Sequence, residues 1–251
     1  MKKSQEDYNH IWLGLPLDKT EDSVFTHTEL DEAKKAIYPR RPTYDYKIAG
    51  FDIARYGDDK CACVIIQQNG VLHWEVVYVD QWDHKDLNYT TGRIFTTAAE
   101  QRVDKCIIDE DGMGAGPLDT LIAKMKKDAI TGFRNPVLGY DKDRFYGNPR
   151  TANTYLLKDM FLKGHLHVTD EGLLEELGTL RYEYDHNQRR ILISKEKMKK
   201  QGVKSPNMAD ALIMAVSLID EFTKKQENYY GAIRDRKRHQ SDNLFEIAGV
   251  R

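Results

Sequence analysis

Three aspartates occupy places where a carboxylate is costly unless it has a task. Asp52 sits near the end of the apolar run YKIAGFDIA (46–54), Asp109 sits with Glu110 and Asp111 at the end of KCIIDED (105–111), and Asp210 lies in the first turns of SPNMADALIMAVSLIDEF (205–222). An ionised carboxylate in an apolar segment must be paired, hydrogen-bonded or metal-bound. If the strands carrying Asp52 and Asp109 are parallel neighbours, about 4.8 Å apart, their carboxylates can share hard cations. A third carboxylate delivered from a packed helix completes an all-oxygen set suited to Mg²⁺ or Mn²⁺. Two such ions about 4 Å apart can activate a water against a phosphodiester and stabilise the leaving oxygen. Glu110 and Asp111 compete with Asp109 for the second position, because a slip of one residue reverses strand facing. Ordinary turn chemistry accounts for Asp58 and Asp59, and Asp109 could serve the same purpose.

Cationic residues gather just before Asp210. Arg189, Arg190, Lys195, Lys197, Lys199, Lys200 and Lys204 stand against a single acid, Glu196, between 189 and 204. Beside an acidic centre such a run is suited to phosphate contact, which positions a duplex without reading its sequence. His165 and His167 have the spacing of metal ligands on a strand, yet no third soft ligand is near in sequence and an ordinary surface or core role is favoured. RDRKRH (234–239) reads as a solvated basic tail, and Met208, Leu212, Met214, Ala215 and Leu218 describe a buried helix face.

These residues need a scaffold. YKIAGFDIA and KCACVIIQQ (60–68) flank a Gly-Asp-Asp turn, and Asn69-Gly70 signals a hairpin into VLHWEVVYVD (71–80). A helix is expected over 86–102, a buried strand over 105–111, and a helix over 117–127 with Pro117 at its start. A strand near NPVLGY (135–140), helices near 150–163 and 171–180, and a hairpin over 181–194 follow. The last helix, 205–222, has Ser or Asn as its cap. The pattern predicts an α/β fold with a ribonuclease H-like mixed central sheet: three antiparallel strands, then alternating strand and helix, with an added β-hairpin. Residues 1–44 read as an irregular arm with a short helix near 28–38, 45–225 as the catalytic domain, and 226–251 as a flexible basic tail.

Composition narrows the class. The chain has 251 residues, 40% hydrophobic and 31% charged, with a net charge of −2, so length suits one generous domain and net charge points to no partner. No apolar run of about 18 residues suggests a membrane span, and MKKSQEDYNH lacks the apolar core of a secretory signal. Three cysteines, Cys61, Cys63 and Cys106, are too few for a disulfide framework and are not spaced as zinc ligands; Cys61 and Cys63 share one face of a strand and read as small buried side chains.

Four stretches together resemble the C-terminal nuclease domain of the large terminase subunit of tailed bacteriophages. DYNHIWLGLP (7–16) is similar to the segment that follows the motor in that family. GFDIARYGDDKCACVI and IIDEDGMGAGPLDTL are similar to its first and second acidic motifs. KEKMKKQGVKSPNMADALIMAV is similar to the third, through the Ser-Pro-x-x-Ala-Asp-Ala-Leu core. The resemblance implies metal ligation by Asp52, Asp109 and Asp210. It also implies two-ion hydrolysis of concatemeric double-stranded DNA, with little sequence preference, at the start and end of genome packaging. Some relatives carry a His three residues before the last Asp; here Asn207 stands there, which puts a proton-transfer role at that position in doubt. The implied partners are DNA, the portal protein, the terminase small subunit and the ATPase motor, in the cytoplasm of an infected bacterium, with no membrane. No G-x-x-x-x-G-K-[ST] phosphate loop is present, so no ATP binding is expected, and the resemblance implies a nuclease domain cut from a longer protein. Two other readings remain open: another ribonuclease H-like nuclease, such as a junction resolvase or transposase core, and a non-catalytic docking module for portal or motor.

Overall fold

KIAGFD becomes β1 (Lys47–Asp52), buried at every position after Lys47. In the computed structural model the described residues are 22–35, 46–54, 60–70, 72–83, 86–110, 115–126, 128–134 and 145–219. The chain divides into two units, Met1–Ser217 and Leu218–Arg251, and every element named below lies in the first.

β1 pairs antiparallel with β2 (Lys60–Gln68), and β2 antiparallel with β3 (Trp74–Asp83). On its other side β1 pairs in parallel with β4 (Lys105–Asp109), with Phe51 opposite Ile108. β4 pairs in parallel with β5 (Ile130–Phe133), and the short β6 (Leu166–His167) adds in parallel to β3. The resulting order is β5-β4-β1-β2-β3-β6. A separate hairpin joins β7 (Tyr182–Tyr184) to β8 (Arg190–Leu192).

Alternation along the strands sorts side chains to two faces. Ala49, Phe51, Cys61, Cys63, Ile65, Cys106 and Ile108 form one core face. They pack against Ile94 and Ala98 of α2 (Leu87–Glu100) and Leu118 and Leu121 of α3 (Ala115–Lys124). All three cysteines are free and buried, as the shared strand face predicts for Cys61 and Cys63. The opposite face receives α7 (Asn207–Ser217), which packs on β1, β2, β3 and β4. α4 (Pro149–Leu162) and α5 (Glu171–Thr179) pack against α7 in turn.

Gly50 makes that layer close. A Cβ at Gly50 would stand 1.9 Å from the Ala211 carbonyl oxygen, so the backbone of α7 lies directly on β1. Gly50 and Asp52 share a face of β1, and Ala211 follows Asp210. This one contact brings the two acids together.

Some described elements differ from the expected ones, and other expectations fall outside the described residues. The strand expected at 135–140 lies outside the described residues, and the observed β5 is ITGF (130–133), four residues whose strand character comes from pairing with β4. The basic run holds a helix, α6 (Lys195–Lys200), started by Ser194, whose side chain accepts from the Lys197 N–H at 3.3 Å. The arm is partly built into the core. α1 (His27–Lys35) buries Leu30 and Ala33, and Val24 and Phe25 before it are also buried. Lys158 of α4 holds this segment by donating to the Val24 carbonyl and to Glu29 at 2.6 and 2.7 Å. Segments 7–16, 55–59, 111–114 and 226–251, which carry other expectations, lie outside the described residues.

Candidate active site

A cleft of about 430 Å³ opens at the end of β1 and β4, lined by Asp52, Asp109, Asp210, Arg150, Lys195, Lys199 and Asn207, among others. Asp52 arrives on β1, Asp109 on its parallel neighbour and Asp210 on the first turn of α7. Register decides the second position. Asp109 lines the cleft, whereas the Glu110 carboxylate lies 2.3 Å from where a Gly132 Cβ would be and pairs with Arg134 on β5's continuation. Asp111 lies outside the described residues.

Asp52 and Asp210 are 4% and 6% exposed, too buried to be ionised without compensation. Two cations supply it. The Lys195 Nζ lies 2.7 Å from Asp52 Oδ2 and 3.0 Å from Asp210 Oδ2, and the Arg150 Nε donates to Asp210 Oδ1 at 2.8 Å. Burial raises the Asp52 carboxyl above its usual range; Lys195 pulls it back, Asp210 adds to the rise, and the net direction is upward. Burial pushes Asp210 the same way, but Arg150 and Lys195 together outweigh it and hold that carboxyl below its usual range. The difference follows from geometry, since Asp210 touches both cations and Asp52 bonds to Lys195. The Lys195 ammonium is held above its ordinary range by the two acids, against burial.

Arg150 was not legible as a site residue. Its signal is Asn148-Pro149-Arg150: the Asn148 side chain caps α4, accepting from the Thr151 N–H at 2.8 Å, and Arg150 projects from the capped turn. The Thr151 hydroxyl accepts from the Leu192 N–H at 3.0 Å, which ties that turn to β8, three residues before Lys195.

The cationic run disperses. Lys195 points into the acid pair, Lys197 pairs with Glu183, and Arg189 pairs with Asp185 at 2.9 Å. Arg190 is sandwiched, its guanidinium 5.2 Å from the Tyr155 ring and 5.6 Å from the Tyr182 ring, so it packs the hairpin onto α4. Lys199, Lys200 and Lys204 remain exposed, with Lys199 at the cleft. His167 Nε2 is hydrogen-bonded to the Lys34 carbonyl and His165 packs edge-on to His73, both in packing roles.

Among the described residues, no group of three or more His, Cys, Asp or Glu side chains is placed to hold a metal ion. The chemistry of the donors nevertheless fits a hard cation. All three cleft acids offer oxygen, and Asp210 Oδ2 is buried, without a hydrogen bond of proper geometry, and turned toward Lys195 and Asp52. Lys195 supplies the positive charge at that point.

No family model matches the chain, and no curated protein matches it. Solved structures do. The nuclease domain of the large terminase subunit gp2 of bacterial virus Sf6 superposes with a TM-score of 0.65 at 21% identity, covering 77% of this chain and 98% of that one. This chain has the fold of a phage large-terminase nuclease domain. The terminase nuclease of thermophilic phage G20c, solved with magnesium, gives a TM-score of 0.56 at 16% identity, over 79% of this chain and 98% of that one. That of Thermus phage P74-26 gives 0.52 at 16% identity, over 76% and 93%. Other structures of the Sf6 and G20c domains hold manganese, calcium or cobalt. This chain's six-stranded mixed sheet and its separate hairpin agree with the ribonuclease H-like fold that the order of elements predicts. No described helix is long and apolar enough to cross a membrane.

Proposed function

We propose that this chain is a divalent-metal-dependent DNA endonuclease that cuts double-stranded, concatemeric phage DNA with low sequence specificity during genome packaging. The observation that carries the reading is the meeting of Asp52, Asp109 and Asp210 in one cleft, from two parallel strands and a helix seated on them. Asp52 and Asp210 would hold the cations from the buried floor of the cleft and Asp109 from its wall. When bound, a pair of Mg²⁺ or Mn²⁺ ions supplies an activated water and stabilises the leaving oxygen. Arg150 fixes Asp210 Oδ1 and leaves Oδ2 turned into the cleft. Lys195 offsets acid–acid repulsion, and Lys199, Lys200 and Lys204 place positive charge where a DNA backbone would lie. Metals bound to the Sf6 and G20c domains favour the same dependence here. The proposal extends to the assembly the fold suggests: 45–225 as nuclease, 1–44 as a connection to an ATPase motor, and portal and small subunit as partners in an infected bacterium. No ATP binding is proposed.

The test is cleavage of supercoiled plasmid with Mg²⁺, Mn²⁺ or EDTA, by this chain and by Asp52→Asn, Asp109→Asn and Asp210→Asn. Metal-dependent nicking and linearisation, lost in each folded variant, is the expected result. An intact chain that neither cuts nor binds a divalent ion would leave the docking module as the better reading.

A further inference from the structure

One half-buried acid beside the site, Glu176, has no part in the chemistry above. Glu176 lies on α5, next to the stripe of Leu173, Leu174 and Leu177 that faces the core. Its Oε2 accepts the Ala209 N–H at 3.0 Å, and its carboxylate also accepts the Met208 N–H. Oε1 accepts from Gln81 Nε2 of β3 at 3.0 Å.

The donors it takes are those a helix leaves without internal partners. The Asp210 N–H already bonds to the Pro206 carbonyl at 2.9 Å, so Met208 and Ala209 are two of the three N–H groups before the ladder of α7 begins. A cap normally comes from the residue just before the helix. Here the two expected caps do otherwise. Among the described residues the Ser205 hydroxyl finds no hydrogen-bond partner, and Asn207 Oδ1 faces Lys195 Nζ at 3.4 Å. A carboxylate from a different helix substitutes for them, and that helix is tied by Gln81 to the sheet carrying Asp52.

We infer that Glu176 is a positioning residue for Asp210: it fixes the first turn of α7 against the sheet, so that the Asp210 carboxylate is held facing Asp52 for cation binding. The inference rests on the nuclease reading above. First turns of helices fray unless their donors are satisfied, and a ligand carried on a frayed turn binds weakly because binding must order it. Outer partners that orient a metal ligand are typically worth about 10- to 100-fold in affinity. Glu176 reaches Asp210 through the Met208 and Ala209 peptide groups.

The experiment is calorimetric titration of Mn²⁺ into the full chain and into Glu176→Ala, Glu176→Gln and Ile94→Ala, far below the melting temperature of each. Ile94 is fully buried on the opposite face of the sheet, so its truncation lowers stability without touching α7. Expected is a loss in affinity of about 10- to 100-fold for Glu176→Ala. Glu176→Gln, which keeps an acceptor for the helix, should stay close to the unmodified value, and Ile94→Ala should be unchanged. Unaltered affinity in Glu176→Ala, or an equal loss in Ile94→Ala, overturns the inference. If the unmodified chain binds no divalent ion, the nuclease reading falls, and amide hydrogen exchange at Met208 and Ala209 decides the positioning. Exchange about tenfold faster in Glu176→Ala than in Ile94→Ala would uphold it; equal exchange would overturn it.

Discussion

Lys195 Nζ lies 2.7 Å from Asp52 Oδ2, and the same ammonium is 3.0 Å from Asp210 Oδ2. One ammonium is therefore shared by two buried acids, with Arg150 adding a second charge at Asp210, at the point where the proposed metal site would draw on their charge. Removing it leaves the buried Asp52 carboxylate without that partner, facing an Asp210 carboxylate that keeps only Arg150. Lys195→Ala should lower stability by about 3 kcal/mol in EDTA, and millimolar Mg²⁺ should restore more stability to the variant than to the unmodified chain. Thermal melts with and without the ion measure both effects. Equal responses to the ion would mean that the lysine and the metal do not draw on the same oxygens.

Strand register yields a second expectation. Asp109 faces the cleft and Glu110 lies against Gly132 and Arg134. Asp109→Asn should lower plasmid cleavage by about two orders of magnitude or more, while Glu110→Gln should stay within about threefold of the unmodified rate. The reverse pattern would place the cleft acid one residue later.

Gly50 sets how near α7 can come. A methyl carbon added at Gly50 would fall 1.9 Å from the Ala211 carbonyl oxygen, so Gly50→Ala must push the helix off β1. Overpacking costs about 1–3 kcal/mol where side chains can give, and backbone gives less, so a loss of at least about 3 kcal/mol is expected in urea unfolding. Cleavage should fall further than stability, because Asp210 moves with the helix.

Stability should depend on pH through Glu176. Burial raises its carboxyl to about 7, against the pull of the Ala209 and Met208 N–H groups. A carboxyl raised in the folded state favours folding while it is protonated. Its contribution is therefore whole at low pH, begins to fade above the unfolded value of about 4.3 and is gone above about 7. Guanidinium unfolding in EDTA at pH 5 and pH 8 should show a decline of about 1–3 kcal/mol from this group. Glu176→Gln should remove that part of the slope.

The cationic run should separate into two kinds of residue. Arg190→Ala removes a guanidinium held between Tyr155 and Tyr182 and should cost about 1–2 kcal/mol of stability. Lys200→Ala and Lys204→Ala, at exposed positions, should leave stability alone. Each should weaken DNA binding and flatten its salt dependence by about one unit of log K against log salt. Fluorescence anisotropy over a range of salt concentrations distinguishes the two kinds.

Much of this arrangement was legible in the sequence because it depends on local pattern. Alternation and continuous apolar runs marked β1 through β4, and turn residues marked the hairpins. Carboxylates closing two of those strands marked Asp52 and Asp109. Helical periodicity placed Asp210 in the first turns of α7. What pattern could not fix is anything set by a distant partner. ITGF is a strand because β4 offers it an edge, and Glu110 turns away because register sets its facing. Lys195 reads as one lysine among several until the chain folds its ammonium between two acids. Arg150 and Glu176 stand far before Asp210 in the chain and share no motif with it; α4 and α5 bring them there by packing against α7. Local pattern thus suffices to say which elements form and which acids they carry. Which charges meet is a matter of packing, because in a low-dielectric cleft a separation of a few ångströms, set by helices packed across the sheet, governs whether a carboxylate is paired, repelled or offered to a cation.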